Sequence, residues 1–165
     1  MNRNWMILLV ALVIVLDQWT KSLVSHSFAV SESRTVLQGF FDLTYVQNRG
    51  GAFGIMQGSG IGLVAVGFIV AGAIIVSALR GPSRPEALIA IGMALPLGGT
   101  IGNMIDRLRL GYVVDFFDVY VGSHHWPVFN VADSAICIGV GLIALWILRR
   151  PEPSLDESAA TKTEG

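Results

Sequence analysis

The sequence predicts an all-α polytopic membrane protein, in which four membrane-spanning helices are joined on one side by a small region of β-strands and loops. Of its 165 residues, 53% are hydrophobic and only 14% are charged, and the mean hydropathy is +0.62. Soluble domains carry about 25% charged residues, so this deficit indicates that lipid surrounds most of the chain. The net charge of −1 gives no electrostatic basis for binding nucleic acid.

Four apolar runs are long enough to cross a bilayer, which takes about 20 helical residues. We place these spans at about 5–26, 61–79, 87–106 and 128–148. The first run begins like a signal peptide but continues without a small-residue cleavage pattern, so we predict an uncleaved helix. We expect residues 1–150 to form one membrane-embedded domain. The polar segment 151–165 is predicted to be a disordered cytoplasmic tail.

The region between the first two spans carries strand and turn signals. Residues 39–47 are rich in aromatic and β-branched side chains and predict one or two short strands. The glycines of N-R-G-G-A-F-G at 48–54 suit a tight turn, and its Asn48 and Arg49 are able to hold a peptide backbone. Taken alone, such a motif is more often a plain turn.

The distribution of arginines predicts the orientation. Four spans place both termini on one side of the membrane, and five arginines lie on that side. They are Arg3, Arg80, Arg84, Arg149 and Arg150. The positive-inside rule makes that side cytoplasmic. Four arginines fall on the opposite side, so the bias is modest for the loops as a whole and clearest close to the span ends. They are Arg34, Arg49, Arg107 and Arg109.

In this orientation, polar residues from distant parts of the chain reach the same depth, near the outer boundary of the membrane. They are Asp17 and Lys21 late in the first span, Asn103, Asp106 and Arg107 late in the third, Asp115 in the outer connection, and Asn130 and Asp133 early in the fourth. An ionisable side chain at membrane depth is costly and by default marks a functional site. Scattered anchors would not need to converge, so convergence favours one site.

For two groups of residues, a purely structural role competes with a role in the site. Asp17 and Lys21 are four residues apart, in the favourable order for an ion pair, which is equally compatible with a charge pair that only anchors a helix end. Gly98 and Gly102 form a small-xxx-small face that lets helices pack closely. Packing explains the glycines, but it does not explain Asn103, because an amide in lipid needs a partner.

Asp115 and Asp133 suggest the chemistry. Two carboxylates within reach of each other are able to share one proton and so act as an acid/base pair that activates water. We therefore interpret the chain as a membrane-embedded aspartyl protease that needs no metal or organic cofactor. Histidine pairs of the H-E-x-x-H type, which bind zinc in metalloproteases, do not occur in the sequence.

Two other classes of protein fit the sequence less well. A proton-coupled transporter should carry polar residues through the full bilayer thickness, whereas the inner halves of the second and fourth spans carry no charge. A structural membrane adaptor leaves Asn103, Asp115 and Asp133 unexplained.

Five motifs then carry a resemblance to a known family. They are D-Q-W-T-K at 17–21, N-R-G-G-A-F-G at 48–54, G-G-T-I-G-N-M-I-D-R at 98–107, V-V-D-F at 113–116 and F-N-V-A-D at 129–133. In order and spacing they resemble the bacterial lipoprotein signal peptidases (signal peptidase II), a family of aspartyl endopeptidases. One departure is Gly51, where the family more often has alanine.

The resemblance implies four transmembrane helices in the bacterial inner membrane and periplasmic segments that cradle the substrate. It implies cleavage of signal peptides from diacylglyceryl-modified prolipoproteins, just before the lipidated cysteine. Asp115 and Asp133 match the catalytic dyad. The positions that match its supporting residues are Asp17, Lys21, Asn48, Gly50, Asn103, Arg107, Asn130 and Ala132. We add Arg49, Phe53 and Gly99 as candidates for substrate binding or dyad support. The expected partners are diacylated prolipoprotein signal peptides and membrane lipid, and we expect a monomer.

Overall fold

The computed structural model describes residues 3–50, 60–82 and 85–149, so Phe53 and the tail at 151–165 lie outside the described residues. The described elements alternate between long helices and short strands. In chain order they are α1 (Arg3–Ser27), β1 (Ser33–Leu37), β2 (Phe41–Asn48), α2 (Gly60–Arg80), α3 (Ala87–Leu110), β3 (Val113–Val121), β4 (His124–His125) and α4 (Val131–Leu148). By length and composition, all four of these helices are able to cross a membrane.

The ends of α3 and α4 differ from the predicted spans because capping residues set them. The α3 helix continues beyond residue 106 to Leu110 and ends where Gly111 adopts a left-handed conformation, with φ of 78°. The α4 helix begins at Val131 rather than at residue 128, because Asn130 is its N-cap and forms a capping box with Asp133. The hydrophobicity of the sequence alone predicts neither the end of α3 nor the start of α4.

Small residues let α3 approach both α1 and α4. A Cβ atom at Gly98 would lie 2.8 Å from the Cβ of Val13 in α1. On the neighbouring face of α3, a Cβ at Gly99 would collide with the carbonyl oxygen of Ala132 in α4. Gly98, which belongs to the predicted small-residue face, is therefore a packing position, and together with Gly99 it brings three helices together near the middle of α3.

The strands form one antiparallel sheet in the order β1-β2-β3-β4. The four predicted helices and a small β-region are therefore present, but the sheet is more extensive than the term all-α allows. The strand signal at 39–47 corresponds to β2, which begins at Phe41, but β1 and β3 were not predicted. The β3 sequence V-V-D-F-F-D-V-Y-V is rich in the β-branched and aromatic residues that favour strands. Its first four residues are buried, and a strand buried on both faces shows no polar alternation by which to recognise it.

A small hydrophobic core fixes the sheet on the end of α1. Val24 of α1 packs with Tyr45, Val114 and Phe116, and all four are buried. Val114 and Phe116 flank Asp115, so the core holds β3 on either side of that aspartate. The sheet therefore places a charged residue of β3 at the junction with the helices.

Candidate active site

Asp115 lies in β3 opposite Val46 of β2, and it is 1% exposed. Two amides hold its carboxylate. Asn48, near the end of the paired strand, donates from Nδ2 to Oδ2 at 2.9 Å, and Asn130 donates from Nδ2 to Oδ1 at 2.6 Å. Each carboxylate oxygen thus has a donor, which a buried anion requires.

Asp133 occupies the first turn of α4, where the capping box fixes its side chain. Its Oδ2 accepts the backbone N–H of Asn130 at 3.3 Å, while its own N–H donates to Oδ1 of Asn130 at 2.9 Å. Its other oxygen, Oδ1, accepts from Nδ2 of Asn103 at 2.8 Å. A negative side chain in the first helical turn is also favoured by the helix dipole.

Asn130 therefore contacts both carboxylates, with its side-chain amide on Asp115 and its backbone N–H on Asp133. It is completely buried, and its amide also lies 3.2 Å from Oδ1 of Asn103. The structure brings together the two aspartates that the sequence placed in separate segments. We call Asp115 and Asp133 the dyad.

The environment of Asp115 favours its protonated form. Burial is the largest cause and the negative charge of Asp133 is the second, and together they raise the pKa of Asp115 from 3.8 to about 7. The hydrogen bonds from Asn48 and Asn130 act in the opposite direction by stabilising the carboxylate. At neutral pH, this carboxyl is therefore able both to hold and to release a proton.

This shift predicts a pH-dependent difference in stability between the protein and its Asp115→Asn variant. Between the unfolded pKa of 3.8 and the folded pKa of about 7, the folded state binds more protons than the unfolded state. The unfolding free energy of the parent protein therefore falls as pH rises through that window. Asparagine carries no such proton, so between pH 5 and pH 8 the variant should gain about 2 kcal/mol relative to the parent.

Denaturation in detergent micelles at both pH values measures this gain. An Asp42→Asn variant controls for changing an aspartate to asparagine elsewhere in the sheet, because the carboxylate of Asp42 contacts the hydroxyl groups of Ser33 and Tyr120. A stability difference between Asp115→Asn and parent that is the same at pH 5 and pH 8 would contradict the raised pKa.

A second polar cluster lies next to the dyad and centres on Lys21. The predicted ion pair is present, with Nζ of Lys21 2.9 Å from Oδ2 of Asp17. Nζ also lies 3.0 Å from Oδ2 of Asp106 and 2.8 Å from Oδ1 of Asn103. The three hydrogens of the ammonium group thus have three acceptors. Asn103 joins this cluster to the dyad, because its amide nitrogen donates to Asp133.

The loop after β2 contacts the end of α3. Gly50 donates its N–H to Oδ1 of Asn48 at 2.9 Å, which orients that side chain towards Asp115. The carbonyl oxygen of Gly50 accepts from Nη2 of Arg107 at 3.1 Å, so Arg107 braces the loop as well as adding positive charge near the dyad. The side chain of Arg49, by contrast, is exposed.

The remaining candidates act through packing. Ala132 is completely buried, faces Gly99, and donates its N–H to Oδ1 of Asp17 at 2.9 Å. Gly99 therefore supports the site by allowing α3 to approach the first turn of α4.

The sequence analysis assigned no role to two residues that the structure places in the site. They are Asp106, which was among the polar residues expected to converge, and Gln18, which was not singled out. Asp106 is 3% exposed and accepts the N–H of Val114 at 3.1 Å and Nε2 of Gln18 at 2.9 Å. The spacing of three residues between Asn103 and Asp106 puts both on one helix face, and this was the available signal. For Gln18, which precedes an exposed tryptophan, there was no comparable signal.

Comparisons with known proteins agree with this geometry. A family model described as signal peptidase (SPase) II matches residues 9–149. A lipoprotein signal peptidase from Syntrophus aciditrophicus is 41% identical over 144 residues, covering 84% of this chain and 89% of that protein. One from Geobacter metallireducens is 41% identical over 154 residues, covering 90% of this chain and 94% of that protein.

A solved structure described as a bacterial membrane enzyme, determined by the in meso method at 2.3 Å, superposes with a TM-score of 0.82 at 29% identity. The match covers 92% of this chain and 94% of that one. A second such structure, at 1.9 Å, gives a TM-score of 0.79 at 30% identity and covers 90% and 95% of the two chains. The chain belongs to the signal peptidase II family of lipoprotein-processing proteases.

Proposed function

We propose that this protein is an aspartic endopeptidase of the bacterial inner membrane that removes the signal peptide from diacylglyceryl-modified prolipoproteins, cutting just before the lipidated cysteine. The observation that carries the proposal is the shared contact with Asn130, which hydrogen-bonds to both Asp115 and Asp133. Family membership supports the substrate class, and the buried carboxylate pair supports the reaction type.

The dyad would activate a water molecule by acid/base catalysis. One carboxylate takes a proton from water as the water attacks the scissile carbonyl carbon. The other carboxyl, protonated, donates its proton to the carbonyl oxygen, so that charge does not build up on the tetrahedral intermediate. Because two close carboxylates titrate as a unit, the proton belongs to the pair. The raised pKa of Asp115, about 7, keeps one proton in the pair near neutral pH.

The supporting residues keep this pair in position. Asn48 donates to Oδ2 of Asp115, and Asn103 donates to Oδ1 of Asp133. In each case this is the carboxylate oxygen that Asn130 does not contact. Arg107 holds Gly50, whose N–H in turn orients the side chain of Asn48 towards Asp115. Binding energy for the substrate would come largely from its acyl chains, at about 0.8 kcal/mol for each buried CH₂ group. We also propose that the active site lies near the periplasmic face of the membrane and that both termini lie in the cytoplasm. We propose further that the protein is a monomer.

Cleavage of a lipidated precursor peptide and of its unlipidated twin tests this proposal. The purified protein in lipid should cut the diacylated peptide at the bond before the modified cysteine, and it should cut the twin at least about 100-fold more slowly, because the acyl chains supply the binding energy. Mass analysis of the products identifies the bond. Equal rates for the two peptides, or a cut at a different bond, would refute the assigned substrate class.

A further inference from the structure

A buried carboxylate holds the backbone next to each member of the dyad. Val114 precedes Asp115 and donates its N–H to Oδ2 of Asp106 at 3.1 Å. Ala132, which immediately precedes the second dyad residue, donates its N–H to Oδ1 of Asp17 at 2.9 Å. The relative position of the two catalytic segments therefore depends on where these two carboxylates lie.

Two side chains of α1 bridge these carboxylates. Nζ of Lys21 lies 2.9 Å from Asp17 and 3.0 Å from Asp106. Nε2 of Gln18 lies 3.2 Å from Oδ2 of Asp17 and 2.9 Å from Oδ1 of Asp106. The same amide lies 3.2 Å from the carbonyl oxygen of Gly102. Lys21 supplies positive charge, whereas Gln18 supplies a neutral donor on the other oxygen of Asp106.

We propose that Gln18 is a positioning residue of the proteolytic centre, whose amide joins the carboxylates of Asp17 and Asp106 and thereby fixes the separation of the two dyad carboxyls. The inference rests on the proposed function, since it takes the dyad as the catalytic group. Gln18 itself touches neither dyad carboxylate among the contacts of the described residues and acts only through the backbone of Val114 and Ala132.

Lys21 alone does not satisfy both oxygens of Asp106, because Nζ of Lys21 contacts Oδ2 and leaves Oδ1 to the amide of Gln18. Without the amide of Gln18, Oδ1 of Asp106 loses its donor, and a buried acceptor without a partner is costly. We therefore expect the carboxylates of Asp17 and Asp106 to move apart and towards water. A displacement of about 1 Å at a catalytic centre is able to lower the rate about 100-fold.

The first test replaces Gln18 with leucine, which keeps the size of the side chain and removes the donor. We expect kcat for the diacylated precursor peptide to fall at least about 10-fold, with KM within about 2-fold of the parent value, because the effect lies in the geometry of the dyad. Thr20→Val is the matched control on the same turn, since the hydroxyl of Thr20 donates to carbonyl oxygens within α1. It should retain parental kcat.

The second test replaces Gln18 with glutamate and measures cleavage at pH 5 and pH 8 as a ratio to the parent at the same pH. The charged groups facing this position are Asp17 and Lys21 on α1 and Asp106 on α3. At pH 8, an ionised glutamate would repel both carboxylates and donate nothing. At pH 5, a protonated glutamate regains one donor, so the ratio should rise at least about 5-fold. A purely structural role of Gln18 would not produce this rise.

These measurements separate the inference from the proposed function. The inference is overturned if the leucine variant folds and keeps kcat within about 2-fold of the parent, or if the glutamate ratio is the same at both pH values. If the leucine variant fails to fold, the glutamate ratio alone decides. Asp115→Asn is included in the same assay: an active Asp115→Asn protein would refute the dyad itself, whereas an inactive one leaves the dyad standing whatever the Gln18 variants show.

Discussion

Substitution of either dyad residue with asparagine is expected to lower the cleavage rate at least about 1,000-fold while the protein still folds and inserts into the membrane. Asparagine matches the shape of aspartate but neither takes up nor releases a proton, and acid/base catalysis by a positioned group contributes about 100- to 10,000-fold. The loss should appear in kcat, because the peptide contacts and the acyl-chain contacts are unchanged. Asp115→Asn and Asp133→Asn together should cost little more than either alone, since groups that act as a unit are not additive.

Asp118→Asn provides the matched control for this prediction. Asp118 lies in the same strand as Asp115 and is also buried, but its carboxylate contacts Thr44 and His125 rather than the dyad. It should cut the diacylated precursor within about 3-fold of the parental rate. If Asp115→Asn or Asp133→Asn retained a tenth or more of the parental rate, the assignment of the dyad would be wrong.

Local patterns were sufficient for the helices and for one ion pair. Long apolar runs specify helices in lipid because the bilayer leaves the backbone few other ways to satisfy its hydrogen bonds. The spacing of Asp17 and Lys21 specifies their contact because residues four apart share a helix face. The helix boundaries were harder to predict from local patterns. The left-handed backbone of Gly111 ends α3, and the side chain of Asn130 caps the start of α4.

The parts that were not predicted depend on contacts between distant residues. Gln18 and Asp106 are 88 positions apart. The topology predicts that polar residues of α1 and α3 reach the same depth, but no local pattern indicates which of their side chains are in contact. The β3 strand was read as a connection because its buried first half lacks the alternation of a half-exposed strand. The side chain of Arg49 is exposed, so its predicted contact with a substrate stays a prediction. The prediction for Phe53 lies outside the described residues and stays a prediction.

Lys21→Met is expected to destabilise the protein by about 3–5 kcal/mol, which is the usual cost of removing one partner from a buried ion pair. Asp17 is completely buried and Asp106 is 3% exposed, so both carboxylates would lose their counter-charge inside the protein. Methionine retains the apolar stem of lysine, which keeps packing effects small. Denaturant unfolding in detergent micelles, compared with the parent protein, measures the loss.

Asp106→Asn tests whether the destabilisation by Lys21→Met comes from the loss of positive charge. Asp106→Asn leaves Asp17 and Lys21 as a neutral pair, whereas Lys21→Met leaves two buried negative charges, so Asp106→Asn should cost clearly less. Adding Asp106→Asn to Lys21→Met should recover part of the lost stability, because it removes one of the two unpaired charges. If Asp106→Asn were as costly as Lys21→Met, and the double variant were no more stable than Lys21→Met alone, charge compensation would not be what Lys21 contributes. In that case the cluster would hold the catalytic segments through hydrogen bonds alone.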